Sequence, residues 1–281
     1  MSKIAYLNSK FVKFRDATVH IEDRGLQFSD SVYEVVAVFN NKLIDFDFHL
    51  IRLSFSLNEL KINYKINAKK LKNIFEQIIS RNKIKSGIIY LQITRGVQSR
   101  DHAYKEKNKP NVIIYSLNKK FNLPGKSFIG KTAITTQDLR WKRRDIKTVS
   151  LLANVLAKQI AKKNNAYEAI LIDNGKVTEG TSSNVWMVKN NILMTHPSNH
   201  NILRGITRDS LKKLIEDEKL KFKEKVFDKK QLYKADEVFV TSSTSFVTPI
   251  IKIDNIKINK GKIGPVSLKL SDIYYRKVCC E

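Results

Sequence analysis

Residues 143–160 constrain this chain more than any other stretch. They read Arg143-Arg144-Asp145-Ile146-Lys147-Thr148-Val149-Ser150 and continue Leu151-Leu152-Ala153-Asn154-Val155-Leu156-Ala157-Lys158-Gln159-Ile160. Val149, Leu152, Ala153, Leu156 and Ile160 recur at helical spacing, which predicts a helix with one apolar face. Thr148 and Ser150 are helix-start residues, so Lys147 is expected at the mouth of that helix. The positive end of a helix disfavours an ammonium and favours the neutral amine, the form that attacks a carbonyl carbon. A lysine at a helix end is ordinarily a solvated charge, so Lys147 gains meaning only from its company.

With 281 residues, 42% of them hydrophobic, the chain can bury a large core as one or two domains. Met1–Asn8 has no apolar segment of a secretory signal, and no run of about 18 apolar residues exists to span a membrane. Cys279 and Cys280 adjoin and cannot build a disulfide framework, so a soluble cytoplasmic protein without a membrane partner is expected. The net charge of +25 raises a basic nucleic-acid-binding protein as the non-enzyme alternative. Its lysines are scattered and no basic segment interleaves aromatics for base stacking, so no nucleic-acid partner is expected. No metal site is expected: the five histidines include no His-Glu-x-x-His, and no cysteine pairs stand at ligand spacing. Gly-x-Ser-x-Gly and Gly-x-Gly-x-x-Gly are both missing, which argues against a serine hydrolase and a dinucleotide-binding dehydrogenase.

In chain order, strands are expected at 4–14, 17–22 and 31–39, with Asn40-Asn41 closing a hairpin. A helix capped at Asp47 carries Leu50, Leu53, Leu57 and Leu60 on one face with Arg52 off it, and a second helix spans 67–82. Strands 86–96 and 111–117, joined by a polar loop, complete an α+β domain over 1–118. Residues 119–122 form the expected linker, ahead of Pro124-Gly125. A larger domain, 123–281, mixes short strands with the Lys147 helix, an Asn174-Gly175 hairpin turn, a helix opening at Gly205 and a last helix at about 266–280.

Asp145-Ile146-Lys147-Thr148, Leu151-Leu152-Ala153-Asn154, Tyr167-Glu168-Ala169-Ile170-Leu171 and Val177-Thr178-Glu179-Gly180-Thr181-Ser182-Ser183-Asn184-Val185 together resemble the fold-type IV pyridoxal-phosphate enzymes, the class-IV aminotransferases. The resemblance covers nearly the whole chain. It implies an α/β fold, with an α+β N-terminal domain and an α/β barrel-like C-terminal domain. The implied cofactor is pyridoxal 5'-phosphate, bound as a Schiff base to Lys147. Glu179 is then the partner of the pyridine nitrogen, and Arg52, Ser182, Ile206, Thr207 and Ser243 complete the cofactor site. A helix opening at Gly205-Ile206-Thr207 suits a phosphate on its own account, because its free N–H groups and dipole favour an anion.

Tyr33, Arg100 and His102 resemble the carboxylate trap of the D-specific aminotransferases. That implies reversible amino transfer from a D-amino acid such as D-alanine to a 2-oxo acid such as 2-oxoglutarate, through a pyridoxamine form. Branched-chain L-amino acid aminotransferases and aminodeoxychorismate lyases are the alternatives within the fold. A homodimer is implied, its clamp loop reaching the neighbouring subunit's site. Three departures from the family pattern bear on substrate range: Ser29-Asp30-Ser31 before Tyr33, Arg204 before Gly205, and Phe246 where relatives often carry an acid.

Overall fold

The structure, a computed structural model, describes residues 3–125 and 128–280; the ends of the expected domain ranges at 1–2 and 281, and positions 126–127, lie outside the described residues. The chain forms two compact units. One runs up to Lys120 and takes in Ile146–Ser150; the other holds Phe121–Asp145 and Leu151–Cys280.

The first unit contains β1 (Ile4–Leu7), β2 (Lys10–Lys13), α1 (Arg24–Phe28), β3 (Ser31–Phe39), β4 (Lys42–Leu43), α2 (Phe46–Glu59), α3 (Ala68–Asn82), β5 (Ser86–Thr94) and β6 (Asn111–Asn118). Its sheet has the order β2-β1-β6-β5-β3-β4, every pair antiparallel. Strand side chains alternate, so one face carries Val32, Val36, Val38, Ile89, Leu91, Ile93 and Ile114 into a core with Leu53, Leu57, Leu71, Phe75 and Ile78 of α2 and α3. The other face carries a row of rings, with Tyr33 stacked on Tyr90 at 5.7 Å and Tyr90 against Tyr115 at 5.0 Å. Asn67 caps α3 as expected, accepting a 2.9 Å bond from the Lys70 N–H. Two expectations fail locally. The 4–14 strand breaks at Asn8-Ser9, both at positive φ, and 17–22 forms no strand. Asp45, not Asp47, precedes α2.

The second unit contains β7 (Lys131–Gln137), α4 (Leu152–Lys163), β8 (Glu168–Asp173), β9 (Lys176–Gly180), β10 (Asn184–Lys189), β11 (Ile192–Thr195), α5 (Ile206–Asp217), β12 (Phe222–Glu224), α6 (Lys229–Tyr233), β13 (Glu237–Ser242), β14 (Phe246–Ile253), β15 (Ile256–Lys257) and α7 (Pro265–Cys280). Nine strands run β12-β11-β10-β13-β14-β7-β8-β9, with β15 beside β14. Asn174 (φ 47°) and Gly175 (φ 77°) make the β8–β9 hairpin turn, both residues at the positive φ such two-residue turns need.

Connectivity forces this sheet to curl. In the strand order β9 and β10 stand five steps apart, about 24 Å in a flat sheet at the usual strand spacing. Yet only Thr181–Ser183 joins them, a reach of about 14 Å at full extension. The sheet therefore bends round until β9 meets β10, and the turn closes with a 2.6 Å bond from the Gly180 N–H to the Ser183 carbonyl. This is the barrel-like α/β second unit of the expected fold class.

Candidate active site

In the first unit, period-two alternation places Glu34 on the same side of β3 as Val32 and Val36, facing the core. A carboxylate there must be paired. Arg52 and His49 meet it from one face of α2: Arg52 donates from Nε and one terminal nitrogen, both at 2.8 Å, and His49 Nδ1 lies 2.6 Å away. All three are buried. Burial alone would raise the Glu34 carboxyl, but Arg52 and then His49 hold it well below the usual range. Burial also lowers His49, against the pull of Glu34. Arg52 is thus a fixed guanidinium. Reading Arg52 off the Leu50/Leu53/Leu57/Leu60 stripe missed Glu34; an acid at an inward position of an apolar strand was the available signal.

Lys147 does not open a helix. Ile146–Ser150 runs beside β3 through an isolated antiparallel bridge between Thr148 and Val32: the Tyr33 N–H donates to the Lys147 carbonyl at 3.0 Å and the Val149 N–H to the Ser31 carbonyl at 3.3 Å. The Lys147 N–H donates to Ser56 Oγ of α2 at 3.2 Å. Its Nζ stands 4.2 Å from the centre of the Tyr33 ring. The helix starts only at Leu152, because pairing with β3 satisfies the backbone ahead of it. The expected apolar face is also reversed. Ala157 and Ala161 pack inward, while Leu152, Val155, Leu156 and Ile160 are 73%, 59%, 55% and 43% exposed.

Arg100 and His102 come together on Phe28 at the end of α1, the guanidinium 4.6 Å and the imidazole 5.4 Å from its ring centre. Both are exposed, and among the described residues no hydrogen bond or ring contact joins them to Tyr33. Their loop is anchored from below. Buried Arg24 donates to the carbonyls of Asp101 and His102 at 2.6 and 3.1 Å. Asp30 accepts from Arg24 Nε at 2.8 Å and Arg95 Nε at 2.7 Å. The departing Ser29-Asp30 pair thus serves the structure, since Ser29 takes the left-handed conformation that ends α1 and Asp30 ties two arginines.

In the second unit, Glu179 is the penultimate residue of β9 and is buried. Its Oε1 accepts from Arg140 and from the Leu203 N–H at 3.0 Å; its Oε2 accepts from Asn184 Nδ2 at 3.1 Å. Burial pushes its carboxyl above the usual carboxylate range, with Arg140 and Leu203 drawing it back. Arg140 is held in turn by Asp138, donating at 3.0 Å from Nε and 2.8 Å from a terminal nitrogen, and Thr178 Oγ1 donates to the same acid at 2.7 Å. Arg140, Asp138 and Asn184 escaped the sequence reading, since their link to Glu179 exists only across strands.

Asn184 Nδ2 also donates to the Leu203 carbonyl at 2.9 Å, and a Cβ on Gly205 would lie 2.0 Å from Asn184 Oδ1. Gly205 therefore admits the close packing that joins Glu179 to the start of α5. There Thr207 is 1% exposed and its Oγ1 has no hydrogen-bond partner among the described residues. An orphaned buried hydroxyl at a helix N-terminus is suited to an anion's oxygen. Ser243 lies in the turn between β13 and β14. Ser182 is exposed and makes no hydrogen bond among the described residues, whereas its neighbours Thr181 and Ser183 donate to buried Glu168.

The other two departures resolve as packing and pairing. Phe246 is buried, stacked on Phe121 at 4.6 Å and near Tyr274 at 5.5 Å, so it is a core residue. Arg204 pairs with Asp209, which cancels the charge it adds at the head of α5. Among the described residues no cluster of three metal-ligating side chains occurs, and no helix is long and apolar enough to cross a membrane.

Residues 31–253 match the class IV aminotransferases, and the chain belongs to that family. D-alanine aminotransferases of Staphylococcus aureus and Bacillus licheniformis are both 40% identical to it, over 97% and 98% of this chain and 96% of each relative. Among solved structures, a T.th. branched-chain amino acid aminotransferase with pyridoxamine 5'-phosphate superposes with a TM-score of 0.90. It is 25% identical, with 99% of this chain and 94% of that one covered. The Escherichia coli branched-chain enzyme shares the fold at a TM-score of 0.90 and 24% identity, over 98% of this chain and 94% of that one.

Proposed function

We propose that this aminotransferase moves an amino group from a D-amino acid, D-alanine foremost, to a 2-oxo acid such as 2-oxoglutarate, with pyridoxal 5'-phosphate as cofactor. The observation that carries the D-specific reading is the 40% identity to D-alanine aminotransferases along nearly the full chain, against 24–25% to branched-chain enzymes of the same fold. The cofactor fits the residues present: Thr207 offers an unpartnered buried hydroxyl to a phosphate, and Glu179 a braced carboxylate to a protonated ring nitrogen. When bound, this cofactor supplies a carbonyl that exchanges amines and a ring that takes up the electron pair left on the substrate α-carbon.

The chain's own residues then divide the work. Lys147 Nζ holds the cofactor carbonyl before substrate arrives and afterwards takes the proton from the substrate α-carbon. Glu179, kept from drifting to the neutral form by Arg140, holds the ring nitrogen protonated. Arg52, Ser243 and the Ile206 and Thr207 N–H groups bind the phosphate, and Ser182 is assigned to the same site. Tyr33, Arg100 and His102 bind the substrate carboxylate, and the side on which they dock it decides which enantiomer presents its Cα–H to Lys147.

A homodimer accompanies this reading. Four exposed apolar side chains on one face of α4 support it, a stripe a second copy would cover. A cytoplasmic location is supported by the two exposed free thiols, Cys279 and Cys280, which suit a reducing compartment.

The test is direct. Protein supplied with pyridoxal phosphate should be yellow, borohydride should fix the cofactor on the peptide bearing Lys147, and D-alanine with 2-oxoglutarate should yield pyruvate. Turnover of L-leucine at a comparable rate would replace the reading with a branched-chain enzyme, and pyruvate from aminodeoxychorismate with the lyase.

A further inference from the structure

Glu179 stands at one end of a line of side chains that alternate in charge and run through the second unit to its surface. Arg140 bridges Glu179 and Asp138, donating to the second acid at 3.0 Å from Nε and 2.8 Å from a terminal nitrogen. One terminal nitrogen of Arg144 then stands 3.4 Å from Asp138 Oδ2 and 2.9 Å from Asp173 Oδ2. The inner four side chains are at most 8% exposed, whereas that of Asp173, the last residue of β8, is 35% exposed and meets water.

Charge balance sets a task for Arg144. Glu179 and Asp138 are two buried carboxylates sharing one guanidinium, which leaves one negative charge uncompensated. Arg144 is the next cation in line. Among the described residues its Nε and the nitrogen between the two acids make no hydrogen bond, so it holds Asp138 by charge. Without it, one of the two carboxylates would take up a proton. Asp138 is the better defended: burial alone would raise its carboxyl, but Arg140 and Thr178 hold it below the usual range. Burial keeps Glu179 above that range, against Arg140 and the Leu203 N–H and with Asp138 adding to the rise. The proton would therefore settle on Glu179.

The other charges nearby do not replace Arg144. Burial pushes the His196 imidazole down, the Pro197 carbonyl opposing and Arg208 and Arg144 adding to it. Arg208 is itself bound to Asp209 and Glu224, and Arg143 pairs with Asp145 at 2.9 Å.

We propose that Arg144 is a positioning residue: from the far side of Asp138 it supplies the cation that lets Asp138 and Glu179 both stay ionised around Arg140, and Asp173 tempers it from the surface. Its value to the reaction rests on the reading of Glu179 as partner of the cofactor's ring nitrogen. Its effect on the Glu179 carboxyl does not. The line also fixes opposite signs for its two outer members. Losing Arg144 drives Glu179 toward the neutral acid, and losing Asp173 frees the Arg144 charge and drives it the other way. A merely loosened structure would wet Glu179 and lower it in both.

The experiment follows the Glu179 carboxyl by 13C NMR in the full chain labelled at glutamate Cδ, before and after loading with pyridoxal phosphate. The resonance missing from Glu179→Gln is the one followed. Without cofactor, Arg144→Gln should raise the titration midpoint by about one pH unit or more, and Arg144→Lys should stay near the parent. Asp173→Asn should lower it by a smaller step. In the loaded enzyme, kcat/KM of Arg144→Gln at pH 7 should fall severalfold and recover as pH rises. An unmoved midpoint in Arg144→Gln, or movement of Arg144→Gln and Asp173→Asn in the same direction, overturns the proposal. Full activity of Glu179→Gln would refute the ring-nitrogen reading instead, and the carboxyl midpoints alone would then decide the line of charges. Should Arg144→Gln fail to fold, Asp173→Asn must lower the midpoint while Asp173→Glu restores it; equal movement in the two overturns the proposal.

Discussion

Two side chains that escaped the sequence reading, Arg140 and Glu34, hold the charges of residues proposed for the cofactor, Glu179 and Arg52. Arg140 stands between Asp138 and Glu179, and burial already lifts the Glu179 carboxyl. Arg140→Gln removes the opposing charge, so Glu179 should be protonated over more of the neutral range. Each further pKa unit costs about 1.4 kcal/mol of ring pairing, and kcat/KM at pH 7 should fall about tenfold or more and recover in part at higher pH. A flat pH–rate profile with full activity would refute the role. Glu34 makes a different prediction. Its folded pKa is depressed by Arg52 and His49, so it contributes stability that is present above its unfolded value and lost as pH falls through the folded one. Glu34→Gln leaves Arg52 buried without a counter-charge and should cost about 3–5 kcal/mol in urea unfolding at pH 7. The gap to the parent should narrow as pH falls below about 4, where the unfolded chain takes up a proton that the folded Glu34 still refuses. The variant should also release pyridoxal phosphate faster, since Arg52 would no longer be held.

Among the elements, the 97–110 loop shows how a polar segment gains a fixed shape. Beside the Phe28 ring under Arg100 and His102, buried Arg24 ties it down from α1, donating to the loop carbonyls of Asp101 and His102 while Asp30 holds the guanidinium. Arg24→Ala should free the loop and raise KM for D-alanine severalfold, while the visible band of the bound cofactor stays. A loss of that band instead would mean that Arg24 serves the cofactor and not the clamp. The element most visible in the sequence, the helix after Lys147, differs from its expectation in two respects, its starting residue and its buried face. Apolar periodicity revealed a helix correctly, but periodicity carries no information about which face a neighbour covers. Here the alanine face packs on β8, because small side chains let helix and sheet approach closely, and the larger stripe turns outward.

For the molecule as a whole, that stripe gives the oligomeric prediction. Leu156→Asp puts a charge on a half-exposed apolar face, so the isolated fold should tolerate it, yet a dimer resting there should not. Light scattering should show a shift from dimer toward monomer, with activity falling in step. A parent protein that is monomeric at full activity would remove the homodimer from the reading.

Much of the architecture was legible before any coordinates. Turn residues marked the Asn40-Asn41 and Asn174-Gly175 hairpins, Asn67 marked the start of a helix, and the Gly205-Ile206-Thr207 opening marked another, because each is a local conformational preference that neighbours need not supply. The candidate lysine, glutamate and arginines were legible for another reason: their motifs are contiguous in sequence. What only the tertiary structure decided are the partnerships between distant segments. Glu34 with Arg52, Arg140 with Glu179, Asn184 against Gly205, and Ile146–Ser150 lying along β3 all join residues that no sequence period relates. Buried charge must be neutralised and backbone groups paired wherever the fold brings them, and which groups meet is a property of strand order and register, not of local sequence.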